Sequence, residues 1–135
     1  MTVQIAPLNK RVKWVLKRFF PEADLNTVCA TFGKKIYISS PMSRDLEVHE
    51  MTHIRQQKNS YFWAVIWWVR YINSDKFRYS QELEAYRNQL RSIYSAQKNK
   101  SERFYMKKKV AEVMSSPMYK NMVSYNKAFN DLSTI

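Results

Sequence analysis

The sequence predicts an α+β fold that is mostly helical, with a short β-hairpin in its N-terminal third. Three observations carry that reading. Only one glycine, Gly33, occurs in the 135 residues, and a fold rich in tight turns needs more. Several long segments place apolar residues at helical spacing. Two short β-prone runs flank Gly33-Lys34-Lys35, as in a hairpin. The length suits a single domain over 1–135, and 45% hydrophobic residues are enough for a core. The predicted core covers about 28–97, with a C-terminal helical extension over about 98–135.

The elements follow in order. Leu8 to Phe20 spaces Val12, Val15, Leu16 and Phe19 helically, and Pro21 ends that helix. Asp24 to Thr27 reads as a turn. Val28–Phe32 and Ile36–Ser39 are the two strands of the hairpin. Ser43 is a candidate N-cap for a helix reaching about Lys58, with Asp45 and Glu47 suited to its first turn. Ser60 to Ile72 is an aromatic helix, and 73–76 a connection. Further helices are predicted over Arg78–Gln97, Glu102–Met114 and Pro117–Leu132.

Lys and Arg outnumber Asp and Glu 23 to 11, a net charge of +12. Such an excess suits nucleic acid, an anionic membrane surface or an acidic protein, or is a solvated basic surface. The cations are spread out, with small knots at Lys107-Lys108-Lys109 and Lys10-Arg11, so nucleic-acid binding is not favoured. Cys29 is the sole cysteine, which excludes an internal disulfide. Met1 to Pro7 lacks the basic-then-apolar order of a signal peptide, so a cytoplasmic or virion-associated location is expected. The apolar run Trp63 to Val69, closed by Arg70, is too short for a transmembrane segment. A buried helix is expected there, because its aromatic residues surround it on several sides.

The chemistry is concentrated in His49-Glu50-Met51-Thr52-His53. On a helix, residues four apart share a face, so both imidazoles can bind one metal ion. Glu50 then lies beside the metal without ligating it, where it can act as general base on a metal-activated water. These are the only histidines in the chain. Signatures that end in a distal histidine are therefore excluded, and positions 56 and 59 hold Gln and Asn where the longer signature needs Gly and His. Cys29 lies upstream in a predicted strand, where a lone cysteine is more often packing. The third ligand is therefore expected to be a carboxylate. Glu82 and Glu84 on the next long helix both qualify. Glu82 is preferred, because small Ala85 one turn later lets two helices approach closely. Glu84 would then support the ligands or sit on the surface. One zinc ion, held by His49, His53, Glu82 and a water, is the expected cofactor.

The pair His49-Glu50-x-x-His53 and Glu82-x-x-Ala85 resembles the gluzincin group of zinc metallopeptidases. The stretch from Lys34 to Gln89 is similar to small peptidase-like proteins of phages and bacteria. That resemblance implies a minimal zincin-like fold, a protein or peptide substrate, and an edge strand at Ile36–Ser39 that pairs with an extended substrate. Arg78, Tyr79 and Tyr86 are candidates to stabilise an oxyanion, although any one of them can equally be packing. Two other functional classes compete with a peptidase: a catalytically silent structural or virion-assembly protein on the same scaffold, and a basic nucleic-acid-binding protein.

Overall fold

The computed structural model describes residues 3–96 and 99–134. The elements run β1 (Gln4–Pro7), α1 (Lys10–Phe19), β2 (Cys29–Phe32), β3 (Lys35–Ile38), α2 (Arg44–Gln56), α3 (Tyr61–Asn73), α4 (Asp75–Ala96), α5 (Lys100–Met114), a 3-10 turn (Pro117–Tyr119) and α6 (Tyr125–Leu132). The fold is α+β and mostly helical, as predicted. The end of α4 was expected at Gln97, which lies outside the described residues.

The helix starts follow local chemistry. Asn9, Ser43, Ser60, Asn99 and Ser124 each accept a backbone N–H of the first turn through a side-chain oxygen, satisfying donors that a helix leaves orphaned. Ser74, predicted to lie in a loop, does the same for Phe77, so α4 begins almost a turn early. The last predicted helix is split. Pro117–Tyr119 forms only a 3-10 turn, then Lys120 and Asn121 take left-handed backbone angles, and α6 starts afresh at Tyr125. The same Lys-Asn pairing turns the chain between α2 and α3, at Lys58 and Asn59. Lys-Asn pairs thus do work that glycines usually do.

Three strands form one sheet in the order β1-β3-β2. β2 and β3 are the predicted antiparallel hairpin, and β1 pairs parallel to β3, with Ile5 opposite Ile36. β3 is therefore the central strand. It cannot serve as the substrate-pairing edge expected at Ile36–Ser39, because both its sides are already paired. The edge nearest α2 and α3 is β2. Its Thr31 carbonyl accepts Trp68 Nε1 at 2.8 Å and Gln57 Nε2 at 3.0 Å, so that position is capped from within.

The apolar core has two clusters. One unites Leu90, Val110, Ala111, Met114, Ala128 and Leu132 of α4, α5 and α6; the other unites Leu16, Phe20, Trp67, Tyr71 and Tyr119. Tyr86 and Met122 pack against both. The expectation of a buried aromatic helix is corrected. α3 buries Ala64, Trp67 and Tyr71, and leaves Phe62, Val65 and Val69 exposed. One side of α3 meets α4, β2 and α1, and Phe62, Val65 and Val69 on the other stay exposed among the described residues.

Gly33 turns the hairpin at φ +64°, and a Cβ there would lie 2.7 Å from the Tyr61 ring. Gly33→Ala therefore incurs both left-handed strain and a clash, with an expected loss of about 1–3 kcal/mol. A lower denaturant midpoint at unchanged m-value is the expected result; an unchanged midpoint would refute the close approach.

Candidate metal centre

The site lies where α2 crosses α4. His49 and His53 stand one turn apart on α2, and Glu82 faces them from α4, with fully buried Ala85 one turn on. The three ligand residues are 3%, 5% and 2% exposed, so bulk water does not screen their charge. His49 Nε2 is 3.1 Å from Glu82 Oε1, His53 Nε2 is 3.1 Å from Glu82 Oε2, and the two Nε2 atoms are 3.2 Å apart. Bonds of 2.0–2.1 Å to a tetrahedral ion would set such ligand atoms about 3.3–3.4 Å apart. Among the described residues, this is the group of histidine, cysteine and acidic side chains that could hold a metal ion.

The surrounding hydrogen bonds fix which nitrogens carry lone pairs. Gln56 Nε2 donates to the Gln81 carbonyl at 3.0 Å and to Glu84 Oε1 at 2.8 Å. Both are pure acceptors, so Gln56 must turn its Oε1 to His53 Nδ1, 2.8 Å away. That places the proton of neutral His53 on Nδ1 and the lone pair on Nε2. Gln89 Oε1 faces His49 Nδ1 at 3.0 Å in the same way. Two imidazole lone pairs and a carboxylate thus face one another without a donor among them. One proton bridges a single pair, whereas a divalent cation satisfies all three at once. The residues present fit a metal ion.

In the metal-free protein a proton takes that place. Burial disfavours the charge on His53, but the adjacent Glu82 carboxylate outweighs it and raises the group to about 9. Burial likewise opposes ionisation of Glu82, yet the two histidines hold it well below the usual carboxylate range.

Glu82 is also held by residues absent from the sequence-based list. Tyr71 Oη donates to its Oε2 at 3.0 Å and Tyr119 Oη to its Oε1 at 3.3 Å. Burial first, then the Glu82 charge, keeps both phenols protonated and hence donors. Glu82 is thus the third member of the metal group, and Glu84 supports His53 through Gln56.

The three proposed oxyanion groups separate. Arg78 is fully buried and donates to the backbone carbonyls of Tyr71 at 2.6 Å and Tyr119 at 3.2 Å, besides pairing with Asp75. It positions the two tyrosines and does not meet the metal group. Tyr79 is spent on Asp131, 2.6 Å away. Tyr86 packs its ring edge against His49, with centroids 4.3 Å apart, and pairs its hydroxyl with that of Tyr119 at 2.9 Å. Sequence reasoning missed Tyr71, Tyr119 and Thr31, because their approach depends on tertiary structure alone.

Glu50 is buried, and Thr31 Oγ1 of β2 donates to its Oε2 at 2.6 Å. Glu50, both histidines, Glu82, Cys29 and Tyr119 line a cavity of about 70 Å³, room for a few waters. Burial, then the Glu50 charge, pushes the Cys29 thiol up to about 12, so it remains a neutral wall residue and stays outside the metal group.

No family model matches the chain, and searches of the curated proteins and of the solved structures return no match. The candidate metal centre therefore stands on its geometry and on the motif.

Two measurements test the centre. A proton on His53 competes with the metal, so apparent affinity should climb by up to tenfold per pH unit and level off above about 9. Gln56→Ala removes the orienting acceptor and should weaken binding by about 10–100-fold; calorimetric titration that finds pH-independent binding, or no effect of the substitution, would contradict the assignment.

Proposed function

We propose that the chain is a zinc-dependent hydrolase of peptide bonds, with His49, His53 and Glu82 as metal ligands and Glu50 as general base. One observation carries the reading: a second buried carboxylate, Glu50, borders the same small cavity as the ligand set and is oriented by Thr31 instead of by the ligands. Two histidines and a carboxylate that leave an open position are the donor set of catalytic zinc. The motif resemblance to gluzincins supports the same assignment.

Zinc bound there would supply Lewis acidity, making hydroxide available near neutral pH and polarising a carbonyl. The protein's own residues do the rest. Glu50 takes a proton from the attacking water and returns it to the leaving amine. Thr31 holds the carboxylate while it does so. The Gln56 and Gln89 side chains accept from the two Nδ1 atoms and so turn both Nε2 atoms toward the ion. Tyr119, in the cavity wall with Tyr86 behind it, keeps its hydroxyl on Glu82 and so holds that carboxylate in place.

A second reading is favoured by the closure of the site. Sites that take small molecules span roughly 300–1,000 Å³, and this cavity of about 70 Å³ is far smaller. Leu16 of α1 and Phe20 just after it, with Met118 and Tyr119, wall it in. A peptide reaches Glu50 only if that wall parts. If it never parts, the metal serves to hold the fold together, the structural role on the same scaffold.

Glu50→Gln distinguishes the readings. Under the catalytic reading, zinc content is unchanged and turnover of a cleaved peptide falls at least about 10²-fold. Wild-type protein that holds zinc, melts when chelated and cuts nothing in a broad peptide library would establish the structural role instead.

A further inference from the structure

The exposed side of α3 carries a continuous apolar ridge. Phe62, Val65, Ile66 and Val69 follow the spacing of one helical face, and Phe62, Val65 and Val69 are 67%, 53% and 56% exposed. Beside the ridge runs a groove of about 550 Å³, bounded by Val12 and Val15 of α1 and by Val65, Val69 and Ile72 of α3, with Phe32 of the sheet beneath. Trp14 stands 64% exposed on α1. Patches of this kind on one surface mark an interaction site.

Charge selects the partner. The elements that build this face, α1, α3 and all three strands, contain no Asp or Glu, although the chain holds 11. They carry Lys10, Arg11, Lys13, Lys17, Arg18, Lys35 and Arg70, and the hairpin turn adds Lys34, while the turn after α1 holds Glu22 and Asp24. Lys58, in the turn before α3, lies over the Trp63 ring at 4.1 Å. An apolar ridge collared by cations and aromatic residues is the chemistry of an element lying in a bilayer interface. α3 has 13 residues, and no helix among the described residues is long and apolar enough to cross a membrane.

We propose that the α1–α3 face docks on an anionic lipid bilayer, with the α3 ridge entering the acyl boundary and the α1 lysines meeting the headgroups. Docking does not depend on the metal centre and stands or falls apart from it. Each cation near such a surface adds roughly a five-fold gain in binding.

The test is flotation of the full chain with vesicles of phosphatidylcholine alone and of phosphatidylcholine mixed with an equal part of phosphatidylglycerol. The chain should bind the mixed vesicles at least about ten-fold more tightly, lose that preference as salt rises, and shift its tryptophan emission to the blue. Phe62→Ser/Val65→Ser/Val69→Ser should abolish flotation while the far-ultraviolet circular dichroism is retained. Lys10→Glu/Lys13→Glu/Lys17→Glu, confined to exposed positions on another helix, should abolish the preference for the anionic lipid even if the first variant fails to fold. Equal binding to both vesicles, or none to either, overturns the proposal. So does a wild-type dimer that the ridge variant makes monomeric, because the face would then be taken by a second copy.

Discussion

The interaction on which the structure depends is the burial of the Glu82 carboxylate between two imidazoles. A charged carboxylate cannot be left unpaired in an interior of low dielectric. Every neighbouring choice answers that requirement. His49 and His53 meet one oxygen each, and Tyr71 and Tyr119 donate to the same two oxygens. Those partners come from α2, α3 and the 3-10 turn, so one side chain of α4 fixes three other elements relative to its own helix. Arg78, one turn before Glu82 on α4, extends the arrangement by holding the backbones of both tyrosines. The C-terminal segment is thereby bound into the site and does not merely append to it.

Around that centre the polar groups form two separate supports. The first serves the imidazoles, through Gln89 on one side and Glu84 with Gln56 on the other. The second serves the sheet. Gln57 is fully buried, accepts Gly33 N–H at 2.7 Å and donates to the Thr31 carbonyl, so α2 fixes the hairpin whose Thr31 hydroxyl orients Glu50. Gln56, the last residue of α2, and Gln57, its C-cap, therefore serve different neighbours, one the imidazole of His53 and one the hairpin that holds Glu50. This division gives Glu50 an orientation independent of the ligands. A carboxylate that served only to balance the charge of the metal group would need no such separate anchor.

Much of this was legible in the sequence. Helical spacing, side-chain caps and the hairpin turn are local signals, and they located α1 to α5, β2 and β3 to within a few residues. The group of His49, His53 and Glu82 that could hold a metal ion was legible too, because with two histidines in the chain elimination leaves a carboxylate as third member. What was not legible is long-range. β1 has four residues ending in a proline, and its parallel partner lies some thirty residues on, so no local pattern marks it as a strand. Tyr119 belongs to a segment with helical composition, broken by left-handed angles at Lys120 and Asn121 that asparagine and lysine do not announce. The aromatic helix misled for a different reason. Its periodicity is that of a core helix, but the small sheet and α4 supply apolar surface for one side only.

The placement of α1 links the closed site to the open groove. Leu16 lines both the cavity at the metal group and the groove beside α3. α1 contributes only that one fully buried residue from within the helix, and the remainder of its surface is largely cationic and exposed. Elements with few buried apolar contacts open at the lowest free-energy cost. The walls formed by α2 and α4 are fixed by the buried ligand set, and Tyr119 is fixed by Glu82 and Arg78. Of the helices that enclose Glu50, α1 contributes to the cavity wall through an apolar side chain alone. Leu16 shares that double place with Ala30, Thr31 and Trp68, so the cavity and the groove have a common wall.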